Sequence, residues 1–158
     1  MASPILVRVD PMNDQTGPAF PALCLRIRDF MREHFPEGDP DIMTRQVLGR
    51  VAVGDPAVFL LAMVDLDKGT IVGHLLCTLE QVGDKKWVYG WQAQVNPGLG
   101  DALERAFAAS DAWAAPLGAT TFAMTTPRAE KGWEKKYRFT SVRHVMSRPI
   151  PFKKEDDA

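Results

Sequence analysis

With 158 residues, 46% of them hydrophobic and 25% charged, the chain has the size and balance of one globular domain, not of a disordered segment. Its 19 Lys and Arg stand against 20 Asp and Glu, a net charge of -1, so the basic excess of a phosphate-backbone binder is missing and nucleic acid is not the expected partner. The longest apolar stretch, residues 57–64, is far short of the roughly 20 residues a membrane helix needs, so no membrane span is expected. Cys24 and Cys77 lie far apart, each in an apolar run, with no second Cys or His at metal-ligand spacing. They read as buried free thiols in a reducing compartment. No basic-then-apolar leader precedes Pro4, and a cytoplasmic location is expected.

Residues 5–9 (ILVRV), bracketed by Pro4 and Pro11, predict a first strand. Over 19–35 the apolar residues Leu23, Ile27, Phe30 and Met31 recur at helical spacing, with Arg26, Arg28, Arg32 and Glu33 on the other faces. Pro36 would end that helix. Asp39 can cap a second helix with Pro40 in its first turn, running to Val51. After Gly54-Asp55-Pro56 the period changes. Residues 58–65 (VFLLAMVD) predict a buried strand, Asp67-Lys68-Gly69 a hairpin turn, and 70–80 (TIVGHLLCTLE) its return. Gly83 and Asp84 turn the chain into a fourth strand, 87–95, which Asn96-Pro97-Gly98 breaks. An alanine-rich helix follows over 99–117, its face built of Leu103, Ala106, Phe107, Ser110, Trp113 and Ala114, closed by Pro116 and Gly118. A strand over 120–125, a short helix over 130–137 and a last strand over 139–146 complete the pattern. Residues 1–150 read as one domain and 151–158 as a charged tail. The order is β-α-α-β-β-β-α-β-α-β, an α/β chain of the α+β type.

The segment from Gln92 to Leu103 carries the most chemistry: a strand ends, a tight turn holds Gly98-Leu99-Gly100, and a helix begins at Asp101-Ala102. Such a junction gathers unpaired backbone N–H groups at the positive end of a helix dipole, where a phosphate can sit, and glycine lets the backbone approach an anion. The same pattern also serves a plain strand-to-helix connection that needs Gly98 for its backbone angle. Together with the order of elements, it resembles the GNAT-fold N-acetyltransferases. Their loop at this junction reads Gln/Arg-x-x-Gly-x-Gly/Ala and cradles the pyrophosphate of acetyl-coenzyme A. Gly98, Gly100 and Ala102 fit the second half of that phrase. The family's Gln/Arg falls on Val95, Gln94 stands one residue early, and Asp101 brings a carboxylate to the mouth of a phosphate site. The resemblance implies a mixed sheet of about six strands with helices on both faces, and a cofactor site of Gln94, Val95, Gly98, Leu99, Gly100, Asp101 and Ala102. The fourth and fifth strands would diverge near Val95 and Thr125 to admit the pantetheine arm. Asp101 would face away, capping the helix or pairing with Arg105.

A second segment, from Gly132-Trp133 to Phe139, resembles the family's aromatic-rich fourth helix, and Pro127-Arg128 followed by Gly132-Trp133 is similar to GNAT-like proteins of phages and prophages. The family's acidic Tyr falls on Glu134. Tyr137, three residues on, can equally stack with Trp133 on a buried face. A base to accept the ammonium proton is not evident: the fourth strand offers Tyr89, Trp91, Gln92 and Gln94, while His74 and Glu80 stand on the third. His34 and His144 read as a helix-end and a strand-surface residue. The resemblance implies transfer of an acetyl group from acetyl-coenzyme A to an amine of a small molecule or peptide. A catalytically degenerate GNAT-like binding module and a structural or interaction protein are the alternatives, and a homo-oligomer is compatible with each.

Overall fold

The computed structural model describes residues 3–10, 20–35, 38–99, 101–124 and 139. Backbone contacts divide the chain into a unit of Met1–Met124 and a unit of Thr125–Ala158, and all described residues but Phe139 belong to the first. The expected helix over 130–137, the last strand beyond Phe139, and with them Trp133, Glu134, Tyr137 and His144, lie outside the described residues.

The elements are β1 (Ile5–Arg8), α1 (Phe20–His34), α2 (Pro40–Ala52), β2 (Val58–Asp65), β3 (Thr70–Val82), β4 (Lys85–Val95), α3 (Ala102–Ala114) with a 3-10 turn at Ala115–Leu117, and β5 (Ala119–Met124). Their order follows the sequence expectation up to β5. Local chemistry sets the ends. The Asp39 carboxylate accepts from the N–H groups of Asp41 and Ile42 at 3.0 and 3.1 Å, with Pro40 opening α2 where a missing N–H costs nothing. The β2–β3 hairpin is pinned by Asp65, whose carboxylate accepts from Asp67 and Lys68 N–H, and by Gly69 at φ +64°. β3 and β4 run longer than expected, because the two-residue turn Gly83-Asp84 lets pairing continue out to Val82 opposite Lys85. Helix α3 begins three residues later than expected: Pro97 and Gly98, the latter at φ +83°, form a turn before it. Gly118 at φ +86° closes its far end.

The strands form one mixed sheet in the order β1-β2-β3-β4-β5, antiparallel except for the parallel β4–β5 pair. That is five strands among the described residues, against the expected six. Alternation along β2 divides the core. Val58, Leu60 and Ala62, with Leu76 of β3, meet Leu23 and Ile27 of α1 and Val51 of α2 on one face. On the other, Phe59 packs on Trp113 of α3 with ring centroids 5.1 Å apart, and Phe122 of β5 meets Phe107 of α3 edge-on at 5.5 Å. Helices therefore cover both faces, as expected. The Cys77 thiol is buried, and burial holds it protonated far above the ordinary thiol range. Cys24 corrects the expectation of two buried thiols, since it is only half-buried.

One irregularity in β4 shapes its outer half. Leu76 faces Gln92 but Cys77 faces Gly90, so Trp91 is an extra, bulged residue. Parallel pairing with β5 is described as far as Gly90 opposite Met124, the last described residue of that strand, and β4 continues to Val95. Among the described residues, 91–95 have β3 as their one strand partner. Thr125, the other side of the expected divergence, lies outside the described residues.

Candidate functional site

The end of β4, the turn after it and the start of α3 form a continuous strip. Gln94 lies opposite His74, and Val95 opposite Gly73; both are half-buried. The Asn96 N–H donates to Val72 O at 2.8 Å and extends the ladder one step past the strand. Gly98 is exposed in the left-handed region, where a side chain would be strained. Leu99 is half-buried, and its carbonyl accepts from Ala102 N–H at 3.4 Å. Gly100 lies outside the described residues. Ala102 is fully buried, so its methyl belongs to the core. The sequence-predicted residues that are described differ in kind. Gly98 and Asp101 are open to solvent, while Ala102 is a packing residue.

Asp101 makes no capping bond to α3. Its carboxylate instead lies 3.5 Å from Arg105 Nε one turn on, and Arg105 also donates from Nη2 to Pro4 O at 3.0 Å. Of the two expected ways to face the carboxylate away from the loop, the i,i+4 ion pair is the one adopted. With no side-chain cap bond from Asp101, the positive dipole end of α3 stays at the strip.

Beneath the strip lies a polar cluster that connects three elements. His74 is fully buried, and its Nε2 is 2.6 Å from the Gln92 Oε1, 18 residues away. Gln92 in turn donates its amide to Ile27 O of α1 at 3.4 Å. The amide oxygen can only accept, so Nε2 carries the proton and Nδ1 is left as a lone-pair acceptor, buried and without a partner among the described residues. Burial, resisted by the Gln92 bond and reinforced by the nearby Arg26 charge, lowers the His74 pKa to about 4. A sealed, neutral imidazole cannot take a proton from a substrate at neutral pH. Phe30 of α1 closes over it edge-on, 6.1 Å between centroids, and stacks against His34 at 4.3 Å.

At the bulge, Trp91 donates its indole N–H to Thr78 Oγ1, and Thr78 donates to Glu80 Oε1, each at 2.8 Å. Tyr89 meets Trp91 edge-on at 4.8 Å. Reading the sequence did not bring these residues together, because the register shift that joins them is set by pairing over a distance. The same holds for Arg26. From α1 it donates through Nη2 to Asn96 Oδ1 at 2.9 Å and to Val72 O at 3.4 Å, a link between residues 70 apart.

No group of three or more His, Cys, Asp and Glu among the described residues could hold a metal ion, and no described helix is long and apolar enough to cross a membrane. A shallow depression of about 50 Å³ lies elsewhere, between β1 and the α2–β2 connection, lined by Arg8, Val51, Asp55 and Val58 among others.

No protein-family model matches the chain, and no curated protein matches it in sequence. Solved structures do match its fold. An aminoglycoside acetyltransferase from an uncultured soil metagenomic sample superposes with a TM-score of 0.62 at 16% identity, over 96% of this chain and 99% of that one. A possible acetyltransferase from Clostridium difficile gives a TM-score of 0.66 at 9% identity, over 96% and 99%. A GNAT family acetyltransferase from Staphylococcus aureus gives 0.62 at 12%, over 94% and 100%. Identities this low carry the fold alone: the chain has the α+β architecture of the GNAT acetyltransferases, here with five strands and three helices among the described residues.

Proposed function

We propose that this chain is an acyl-coenzyme A-dependent N-acyltransferase, which uses acetyl-coenzyme A to acetylate an amine of a small molecule or peptide in the cytoplasm. One observation carries the reading: β4, bulged at Trp91, leads straight into a left-handed turn and a helix start that Asp101 does not cap with a side-chain bond. Among the described residues the outer half of β4 pairs only with β3, so its outer edge would offer backbone N–H groups to a ligand, and the helix start would favour an anion. Gln94 and Val95 would hold the pantetheine arm through their backbone, and Gly98, Leu99, Gly100, Asp101 and Ala102 the pyrophosphate. When bound, acetyl-coenzyme A supplies an activated carbonyl. Backbone N–H groups of β4 would polarise it, and alignment of the amine would supply most of the rate. Since His74 is sealed, the ammonium proton would leave through water.

The seal on His74 is also what favours the second reading, a GNAT-like module that binds coenzyme A without chemistry. Calorimetric titration with acetyl-coenzyme A, followed by an assay of amine acetylation, separates the two. Asp101→Asn sharpens the test. The Asp101–Arg105 pair is exposed, so its loss should change stability by only about 0.5 kcal/mol. If phosphates sit at the loop, removing a charge about 6 Å away should tighten binding several-fold, on the order of 1 kcal/mol, with the gain shrinking as salt rises. Binding to neither the parent nor the variant would remove both coenzyme readings.

A further inference from the structure

Arg26 is the one Arg on α1 that reaches the exit of β4, and its bonding is incomplete in a particular way. A guanidinium has five N–H donors in a planar fork. Among the described residues, only Nη2 finds acceptors, the neutral amide of Asn96 and the carbonyl of Val72. Nε is buried with no partner. No carboxylate of the described residues lies within ion-pair distance, although Arg28, Arg32, Arg50 and Arg105 each have one. The side chain is half-buried, and that burial disfavours its charge. A half-buried cation with neither counter-charge nor a full set of acceptors is costly to keep. Its amide tether, Asn96, is the first residue after β4 and stands two residues before the left-handed Gly98. The position that resembles the family's Gln/Arg is occupied here by Val95, which brings no charge to the loop.

We propose that Arg26 is the phosphate-binding cation of this site, supplied from α1 and aimed by Asn96 at a diphosphate lying along the turn at 96–99. The inference rests on the acyltransferase reading for its ligand, the diphosphate of coenzyme A, but on Arg26 itself for its chemistry. A guanidinium suits the task because it keeps its charge when half-buried and, with Nη2 held by Asn96 and Val72, still has the two N–H groups of Nη1 to donate to phosphate oxygens. An anionic group on the acceptor would satisfy the same donors, and the probes below tell the sources apart.

The experiment is calorimetric titration of the parent, Arg26→Gln, Arg26→Lys and Asn96→Ala with coenzyme A, pantetheine and inorganic diphosphate, with melting followed in parallel. Arg26→Gln should bind coenzyme A and diphosphate about tenfold more weakly, with a shallower salt dependence, and pantetheine as the parent does. Arg26→Lys should recover only part of the loss. Asn96→Ala frees the guanidinium without removing it, so it should keep most of the phosphate affinity even if Arg26→Gln proves too unstable to titrate. Equal loss for pantetheine and coenzyme A, or no loss for either, would overturn the proposal. A parent that binds diphosphate through Arg26 but not coenzyme A would sustain the anion site and overturn the acyltransferase reading. A parent that binds neither would overturn both.

Discussion

Gly73→Ala should cost about 3 kcal/mol of stability, because the space beside the Gly73 Cα is already filled on two sides. A Cβ built there would stand 2.5 Å from Met63 Sδ, 2.7 Å from Gln94 O and 3.2 Å from Val95 Cα. The thioether could swing aside, but the other two atoms are backbone of β4 and could yield only by moving that strand. Overpacking costs typically about 1–3 kcal/mol, and a clash against main chain belongs at the upper end. For a chain of this size that is a fall in melting temperature of about 6–12 °C, read by calorimetry. Gly49→Ala is the matched control. Gly49 sits exposed in α2 with nothing within 4 Å of its would-be Cβ, so that variant should gain about 0.5–1 kcal/mol from helix propensity. Because Val95 is the partner of Gly73 and leads directly into the proposed cofactor loop, Gly73→Ala should also weaken coenzyme binding by any fraction still folded. A melting temperature within about 2 °C of the parent would mean that β3 and β4 separate at this point without penalty, and the close approach would then set nothing in the site.

How such a contact escapes a reading of the sequence is instructive. Period and punctuation are local, and they were enough for α1, whose Leu23, Ile27 and Met31 are all buried as spaced, and for the Asp39 cap of α2. They were enough for the junction at 94–102 too, since a strand, a Gly-x-Gly turn and an alanine-rich helix announce themselves within a dozen residues. The bulge was not legible. Nothing in Gly90-Trp91-Gln92 marks one residue as extra, because the slip exists only relative to β3. From it follows the pairing of Trp91 with Thr78 and the turning of Gly90 toward Phe122, whose ring a Cβ there would meet at 2.9 Å. Arg26 was one of three arginines on the polar faces of that helix, indistinguishable from Arg28 until the register brought Asn96 within 2.9 Å of it. Side chains that act across a sheet are defined by pairing, and pairing is the part of a fold that a single strand does not encode.

His74 shows the same point with the largest electrostatic consequence. Its folded-state pKa is about 4 against an ordinary 6.5, lowered first by burial, raised in part by the Gln92 bond and lowered again by Arg26. The charged groups near it add no counter-charge: His34 reaches it only through Phe30, and Arg26 is itself positive. Above about pH 6.5 the imidazole is neutral in both folded and unfolded chains, and its contribution is complete. Between 6.5 and 4 the unfolded chain takes up a proton that the folded chain refuses, so stability falls as pH falls. Below about 4 both forms are protonated and the loss stays constant, at about 3 kcal/mol for a shift of this size. The urea midpoint should accordingly report a stability about 2 kcal/mol lower at pH 5 than at pH 7 from this group alone. His74→Leu isolates it. That variant strands the Gln92 carboxamide oxygen and should lose about 1–3 kcal/mol at pH 7, yet it should be nearly flat between pH 7 and 5. His74→Leu,Gln92→Leu should recover much of that cost and stay equally flat, since two apolar groups leave no orphan behind. Equal pH slopes in the parent and in His74→Leu would mean that His74 takes its proton in the folded state at ordinary pH. A histidine able to do that, lying opposite Gln94 on the strand edge where the acyl carbonyl is proposed to bind, would become the best candidate for the missing base.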